Sequence, residues 1–375
     1  MRWFTATTHG TGDTFWYARL AYLYLGTDDP TATARAAGLA DRLGIEPASS
    51  AVALVAKMDP RYPAIFAGRP LYPATGAVLI PVAGPEAMVW SAAFAGVLAG
   101  VMLGWFAGRA TGSPLAGIVA LLLFYALPTG AVSATAMADP WALAGWVGAL
   151  VAGSLYLIRG GRGALAGLIA AVLTLALAKS ANAAALAVAL LATTAVLALL
   201  TRRSDRTLVR RAGVIGACAA VVTAGVLGAS ALLGLPGFEA SLQDTFTAHF
   251  TRPTVTNPYQ LLLRRDLAIV QPLMSQLIGL PGVLALGIVG LGGLVVGGRP
   301  WGALWIAAVP ASLLLVLAHP VSSEIPRLMA PAWASVALGL AMWLPVMLRY
   351  ARRRLPTGSA PAVLTGDAPA TPPSP

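Results

Sequence analysis

From Glu86 onward the chain alternates long apolar runs with short polar breaks. The runs predict membrane spans near 86–107, 113–128, 140–158, 163–178, 181–200, 212–235, 278–297, 301–318 and 326–348. Several are shorter than the roughly 20 residues that cross about 30 Å of hydrocarbon. The pair 163–178 and 181–200, split by Lys179 and Ser180, is also open to reading as a hairpin that does not fully cross.

Residues 1–85 follow a different pattern and contain no span. The stretch HGTGDTFWYARLAYLYLG at 9–26 opens on turn residues, carries a carboxylate at Asp13, and runs into an aromatic helical pattern. Counted from Asp13, Trp16, Tyr17, Leu20 and Tyr24 fall at i+3, i+4, i+7 and i+11, one helix face. Asp is also a favoured N-cap, so Asp13 has a purely structural reading beside any chemical one. A short soluble helix pattern with Arg35, Asp41 and Arg42 occupies 31–44. The Pro-rich stretch 58–86 predicts short helices and turns on the membrane surface, with 74–82 dipping into the interface.

Composition settles the class. Hydrophobic residues make up 58% of the 375 and charged residues 10%, where a soluble domain has about 25% charged. The sequence therefore predicts an all-α, polytopic transmembrane helix bundle of about nine spans. It divides into an extracytoplasmic or interfacial region at 1–85, a bundle at 86–348 with a long loop at 236–277, and a basic, Pro-rich tail at 349–375, disordered from Leu355. Cys218 stands alone in an apolar run, and His9, His249 and His319 lack zinc-ligand spacing, so no metal site is predicted from them. A divalent ion stays open, since acids are available but no ligand spacing is diagnostic.

The net charge of +11 is a topology signal. Arg109, Arg159, Arg162, the run at 201–211, Arg299 and the run at 349–354 occupy every second loop, which puts those loops and the C-terminus in the cytoplasm. Twelve of the fourteen acidic residues, all except Asp205 and Asp367, fall on the other side. That segregation excludes a nucleic-acid partner. It also places 1–85 outside with no apolar segment ahead of it. One N-terminal span is therefore expected to be missing from the sequence; otherwise the 86–107 span inserts with its N-terminus outward.

Four clusters abut span ends on the acidic side: Asp13 with Trp16, Tyr17 and Arg19; Asp59, Arg61 and Tyr62 with Arg69 and Tyr72; Ser133, Thr135, Asp139 and Trp141; and His319, Glu324 and Arg327. Each has a structural reading. Asp139 before Pro140 is a good helix start, Glu324 and Arg327 form a local ion pair, and tryptophans near span ends form an interfacial belt. Their shared face is what points to a site. The loop at 236–277, with Asp244, His249, Arg252, Arg264 and Arg265, reads as membrane-surface structure that either closes over that site or merely connects spans.

The order of these features resembles the GT-C superfamily of membrane glycosyltransferases, which use polyprenyl-phosphate-linked sugars. The resemblance rests on the early acid in GDTFWYARLA, the RPLYP stretch at 69–73, the start of a span in ADPWALA, and the late segment SSEIPRLMAPAW, and it covers most of 9–345. It implies that Asp13 is the catalytic base. It also implies a polyprenyl-phosphate sugar as donor, a cell-envelope glycan, lipid or protein as acceptor, and an extracytoplasmic active face. The chain departs from the family in lacking a transmembrane helix before that acid.

The residue types suit such chemistry. A carboxylate deprotonates the acceptor hydroxyl. Arg61, Arg69 or Arg327 holds the leaving lipid phosphate. Trp16 and Tyr72 offer faces for a sugar ring, and no Gly-rich phosphate loop serves a soluble nucleotide sugar. The alternatives are a transporter or flippase, or a non-catalytic or truncated membrane subunit. A transporter predicts internal repeats and mid-membrane ionisable groups, which the sequence lacks.

Overall fold

The computed structural model describes residues 11–201, 205–296 and 299–354, and among them every regular element is a helix. The expected structure of the tail from Leu355, of Arg202 and Arg203, and of His9 falls outside the described residues.

Among the described residues, five short helices precede the bundle: α1 (Gly12–Tyr24), α2 (Asp29–Arg42), α3 (Ala48–Lys57), α4 (Arg61–Ala67) and α5 (Leu71–Ala83). Prolines set their lengths. Pro30 enters α2 in its first turn, while Pro47, Pro60 and Pro70 immediately precede α3, α4 and α5, where a missing N–H costs nothing. α1 packs on α2 and α5, and α5 packs on the first long helix. Val78 and Val82 of α5 stay exposed, as expected for an interfacial segment.

The bundle follows as α6 (Ala87–Thr111), α7 (Pro114–Ala126), α8 (Pro128–Ser133), α9 (Asp139–Arg159), α10 (Arg162–Ala178), α11 (Ser180–Thr201) and α12 (Arg206–Leu232). An outer pair, α13 (Phe238–Phe246) and α14 (Pro258–Gly279), separates these from α15 (Pro281–Val296), α16 (Trp301–Ile306), α17 (Ala308–Ala318), a 3-10 turn at Ser322–Glu324, α18 (Ile325–Leu328) and α19 (Ala330–Arg354). Among the described residues, six segments are long and apolar enough to cross a membrane: α6, α9, α11, α12, α16 with α17, and α19. The other three expected spans, α7, α10 and α15, are apolar but have 13, 17 and 16 residues. The multi-pass helical bundle is therefore the architecture of the described chain.

Local chemistry explains the irregularities. The 301–318 segment breaks at Ile306 because Pro310 cannot donate to the Ile306 carbonyl and its ring crowds it. α12 starts at Arg206 instead of 212, and Arg211 uses the extra turns. Its guanidinium donates to the carbonyls of Leu157 and Ile158 at 3.0 Å and of Arg159 at 3.3 Å, satisfying the free C-terminal end of α9. α15 lies so close to α19 that a Cβ on Gly339 would overlap the Gly290 carbonyl, the small-residue contact by which membrane helices pack.

Candidate functional site

Asp139 opens α9 at the end that also carries α1–α5. Sequence offers it as an N-cap, but Ala138 holds that position, Pro140 follows in the first turn, and the Asp139 carboxylate points elsewhere. The loop before it is fixed by α1: Thr14 Oγ1 donates to the Ala136 carbonyl at 2.8 Å. Lys179 is the single residue between α10 and α11, in extended conformation. Its Nζ lies 2.6 Å from Asp139 Oδ1, and both side chains are buried. A buried charge without a partner is strongly unfavourable, so each requires the other. Arg327 Nε stands 3.6 Å from the same oxygen and 2.6 Å from Glu324 Oε2, the latter an ion pair without hydrogen-bond alignment. Asp139 Oδ2 is buried with no hydrogen bond.

Arg69 enters from the other layer. The turn after α4 is closed by Arg69 N donating to the Phe66 carbonyl at 3.0 Å, and the guanidinium donates to the Tyr17 hydroxyl at 3.1 Å. Burial pushes the Tyr17 phenol up to about 12, with Arg69 opposing and Asp13 adding to the rise, so Tyr17 stays protonated at neutral pH. Arg69 and Lys179 share the lining of a cavity of about 480 Å³. Its remaining wall is mostly apolar and runs between spans along Val188 of α11, Leu227 of α12 and Leu314 of α17, with Phe238 at the start of α13. A cationic end on an apolar groove matches an amphiphile with an anionic head. A larger cavity of about 810 Å³ lies between Thr111 and Arg349 at the basic end of the bundle and touches none of these groups.

Asp13 sits in the first turn of α1 behind its N-cap, Thr11, whose N–H donates to Thr14 Oγ1 at 3.0 Å. The N-cap reading of Asp13 is therefore corrected. The carboxylate is partly exposed and has no hydrogen bond or ion pair among the described residues. It acts electrostatically on Tyr17, Tyr62, Arg69, Arg327 and His249, so it stands among the site's cations without being spent on one.

Other expectations fail for identifiable reasons. Trp16, Tyr17 and Tyr72 form an aromatic core with Tyr62 and Phe66, and Tyr17 and Tyr72 are fully buried. No face is left for a sugar ring. Leu20 is half-buried and Tyr24 exposed at the far end of α1, away from any lining. Asp59 and Arg61 pair with each other at 2.8 Å on the surface, with Arg61 over the Phe250 ring, so neither charge is available to the cluster. The Arg61 hydrogen bonds hold the Asp59 carboxyl down to about 2. Arg19 turns to Asp29 of α2. Of the residues singled out by sequence, the structure gathers Asp13, Arg69, Asp139, Glu324 and Arg327.

His319 of the fourth cluster and the Asp244–His249 pair of the outer loop stand with them, and Lys179 joins as a residue that sequence reading did not place in a site. Lys179 carried a signal, a lone cation splitting two apolar runs. Asp244 Oδ1 accepts from His249 Nδ1 at 2.9 Å, and the His249 ring lies 4.6 Å from that of Tyr62, which docks the 236–277 loop onto α4. The Asp244 hydrogen bond holds His249 above its ordinary pKa, against the effect of burial. Nearby, His319 Nδ1 lies 3.2 Å from Thr245 Oγ1. Burial, with Arg327, Lys179 and Arg69 around it, pushes His319 down to about 4, so it is neutral at pH 7. No group of three His, Cys, Asp or Glu side chains placed to hold a metal ion occurs among the described residues.

Comparison with family models, with curated proteins and with solved structures finds no match to this chain.

Proposed function

We propose that the protein is a membrane glycosyltransferase that moves a sugar from a polyprenyl-phosphate donor to an acceptor hydroxyl. The observation that carries this reading is an uncommitted carboxylate, Asp13, within electrostatic reach of Arg69, a residue that lines an apolar groove between spans. In the reaction, Asp13 takes the proton of the acceptor hydroxyl as its oxygen attacks the anomeric carbon. The bond from that carbon to the phosphate oxygen breaks, and the lipid phosphate leaves with the electron pair. Arg69 and Lys179 face that leaving charge, and Arg327 adds positive potential from the far side of Asp139. The polyprenyl chain occupies the groove along Val188, Leu227 and Leu314.

By the charge bias of the loops, the site end faces away from the cytoplasm and the C-terminus faces into it. A transporter reading has less support, because the ionisable groups gather at one end of the spans instead of at mid-depth. The test is donor consumption in proteoliposomes. A polyprenyl-phosphate hexose is expected to release polyprenyl phosphate when membrane-extracted acceptor is supplied, and soluble nucleotide sugars are expected to be inert. Consumption of a nucleotide sugar, or no release across a panel of polyprenyl-phosphate sugars, overturns the reading.

A further inference from the structure

α14 presents three faces. Tyr259, Leu263, Leu267, Val270 and Met274 are 55%, 63%, 69%, 47% and 50% exposed. At about 100° per residue they form one stripe about 80° wide. Ile269 is buried and Leu262 partly buried on a second face toward the bundle, where α14 packs on α13, α15 and α17. Gln260, Arg264 and Gln271 are exposed on the face beyond the stripe, with Arg265 further round. A water-facing helix has no use for the stripe, and no described residue covers it.

Two further observations say what does cover it. Only Leu280 separates α14 from α15, whose Val283, Leu284, Ile288 and Val289 are exposed like the rest of the lipid-facing bundle. The stripe therefore continues a surface that must meet lipid. Beside it, Arg264 supplies a cation where a leaflet supplies phosphates. A second copy of the chain would bring Arg264 of both copies to one interface, which disfavours it. The Tyr259 ring also lies 6.3 Å from Phe238, which lines the 480 Å³ cavity, so the stripe borders that cavity.

We propose that α14 lies in the plane of the membrane at the site end, with its apolar stripe inserted in the leaflet and Arg264 on anionic phospholipid headgroups. The proposal stands independently of the transferase reading. It is tested in phosphatidylglycerol-containing vesicles with Cys218→Ala protein carrying single nitroxide-labelled cysteines. At Leu263→Cys and Leu267→Cys, collision with oxygen is expected to exceed collision with a water-soluble nickel chelate. At Gln260→Cys and Gln271→Cys the order is expected to reverse. Removing phosphatidylglycerol is expected to make the Leu267 label shallower, and Arg264→Gln to abolish that dependence. A Leu267 label shielded from both reagents means a protein partner or a second copy, and one reached by the chelate means water. Either result overturns the proposal, as does a depth indifferent to phosphatidylglycerol.

Discussion

Lys179 Nζ lies 2.6 Å from Asp139 Oδ1, and that contact ties the start of α9 to the break between α10 and α11. Residues forty apart in sequence thereby fix three helices at one depth. Asp139→Asn leaves a buried ammonium without its carboxylate and is expected to cost roughly 3–5 kcal/mol, and Lys179→Met, which leaves the carboxylate with only the longer contact to Arg327, is expected to destabilise as well. The double variant is expected to lose less than either single one, because neither charge then lacks a partner. Thermal unfolding in detergent reads the difference.

His319 gives the stability a pH dependence of defined sign. Its folded pKa, about 4, lies below the ordinary value near 6.5, so the unfolded chain binds the proton more readily between those values. The stability contributed by neutral His319 is complete above about pH 6.5 and is lost as pH falls toward 4. Melting temperature is expected to fall over that window, and His319→Gln, which keeps a partner for Thr245, is expected to flatten the fall. An unchanged profile in the variant assigns the acid sensitivity to other groups.

Close helix packing predicts a contrast between glycines. Gly339→Ala forces a methyl into the Gly290 carbonyl and is expected to cost about 1–3 kcal/mol, the usual scale of overpacking. Gly225→Ala, where no atom lies within 4 Å of the added carbon, is expected to be neutral or slightly stabilising. Equal melting temperatures for the two variants would contradict the α15–α19 contact.

Arg69 and Arg61 separate a site cation from a surface one. Arg69→Gln removes a guanidinium beside the groove and is expected to raise the KM for a polyprenyl-phosphate donor by about 10–100-fold, the scale of a charge-assisted hydrogen bond. Arg61→Gln loses the exposed pair with Asp59 and the contact over the Phe250 ring, neither of them at the groove, and is expected to leave donor KM unchanged. Titrating donor in proteoliposomes checks both.

The bundle was legible because hydropathy reports burial in lipid directly: the runs at 140–158 and 301–318 match α9 and the α16–α17 segment closely. The site was legible only as a face. Charge bias brought Asp13, Asp139, Glu324 and Arg327 to one end, but pairing depends on three-dimensional neighbours, so the Lys179–Asp139 bridge was invisible. Trp16 and Tyr72 were misread because an aromatic stripe at helical spacing is the same pattern whether it lines a cavity or a core. The neighbours that close over them, α4 and α5, come from a Pro-rich stretch whose packing no periodicity encodes. Asp59 and Arg61 share the face of the site charges, but the Asp–Pro–Arg turn lets the pair satisfy itself at the surface.

The central claim is that Asp13 is the general base, and replacing it by Asn tests this most directly. Thr11 supplies the cap and the Asp13 carboxylate has no partner among the described residues, so the variant is expected to fold with unchanged melting temperature. Measured as sugar transferred from a polyprenyl-phosphate donor at saturation, its kcat is expected to fall by about 10²–10⁴-fold, the contribution of a positioned base. Asp59→Asn, on the surface nearby, is expected to retain normal turnover. Full transfer by Asp13→Asn together with loss in Asp59→Asn would contradict the account.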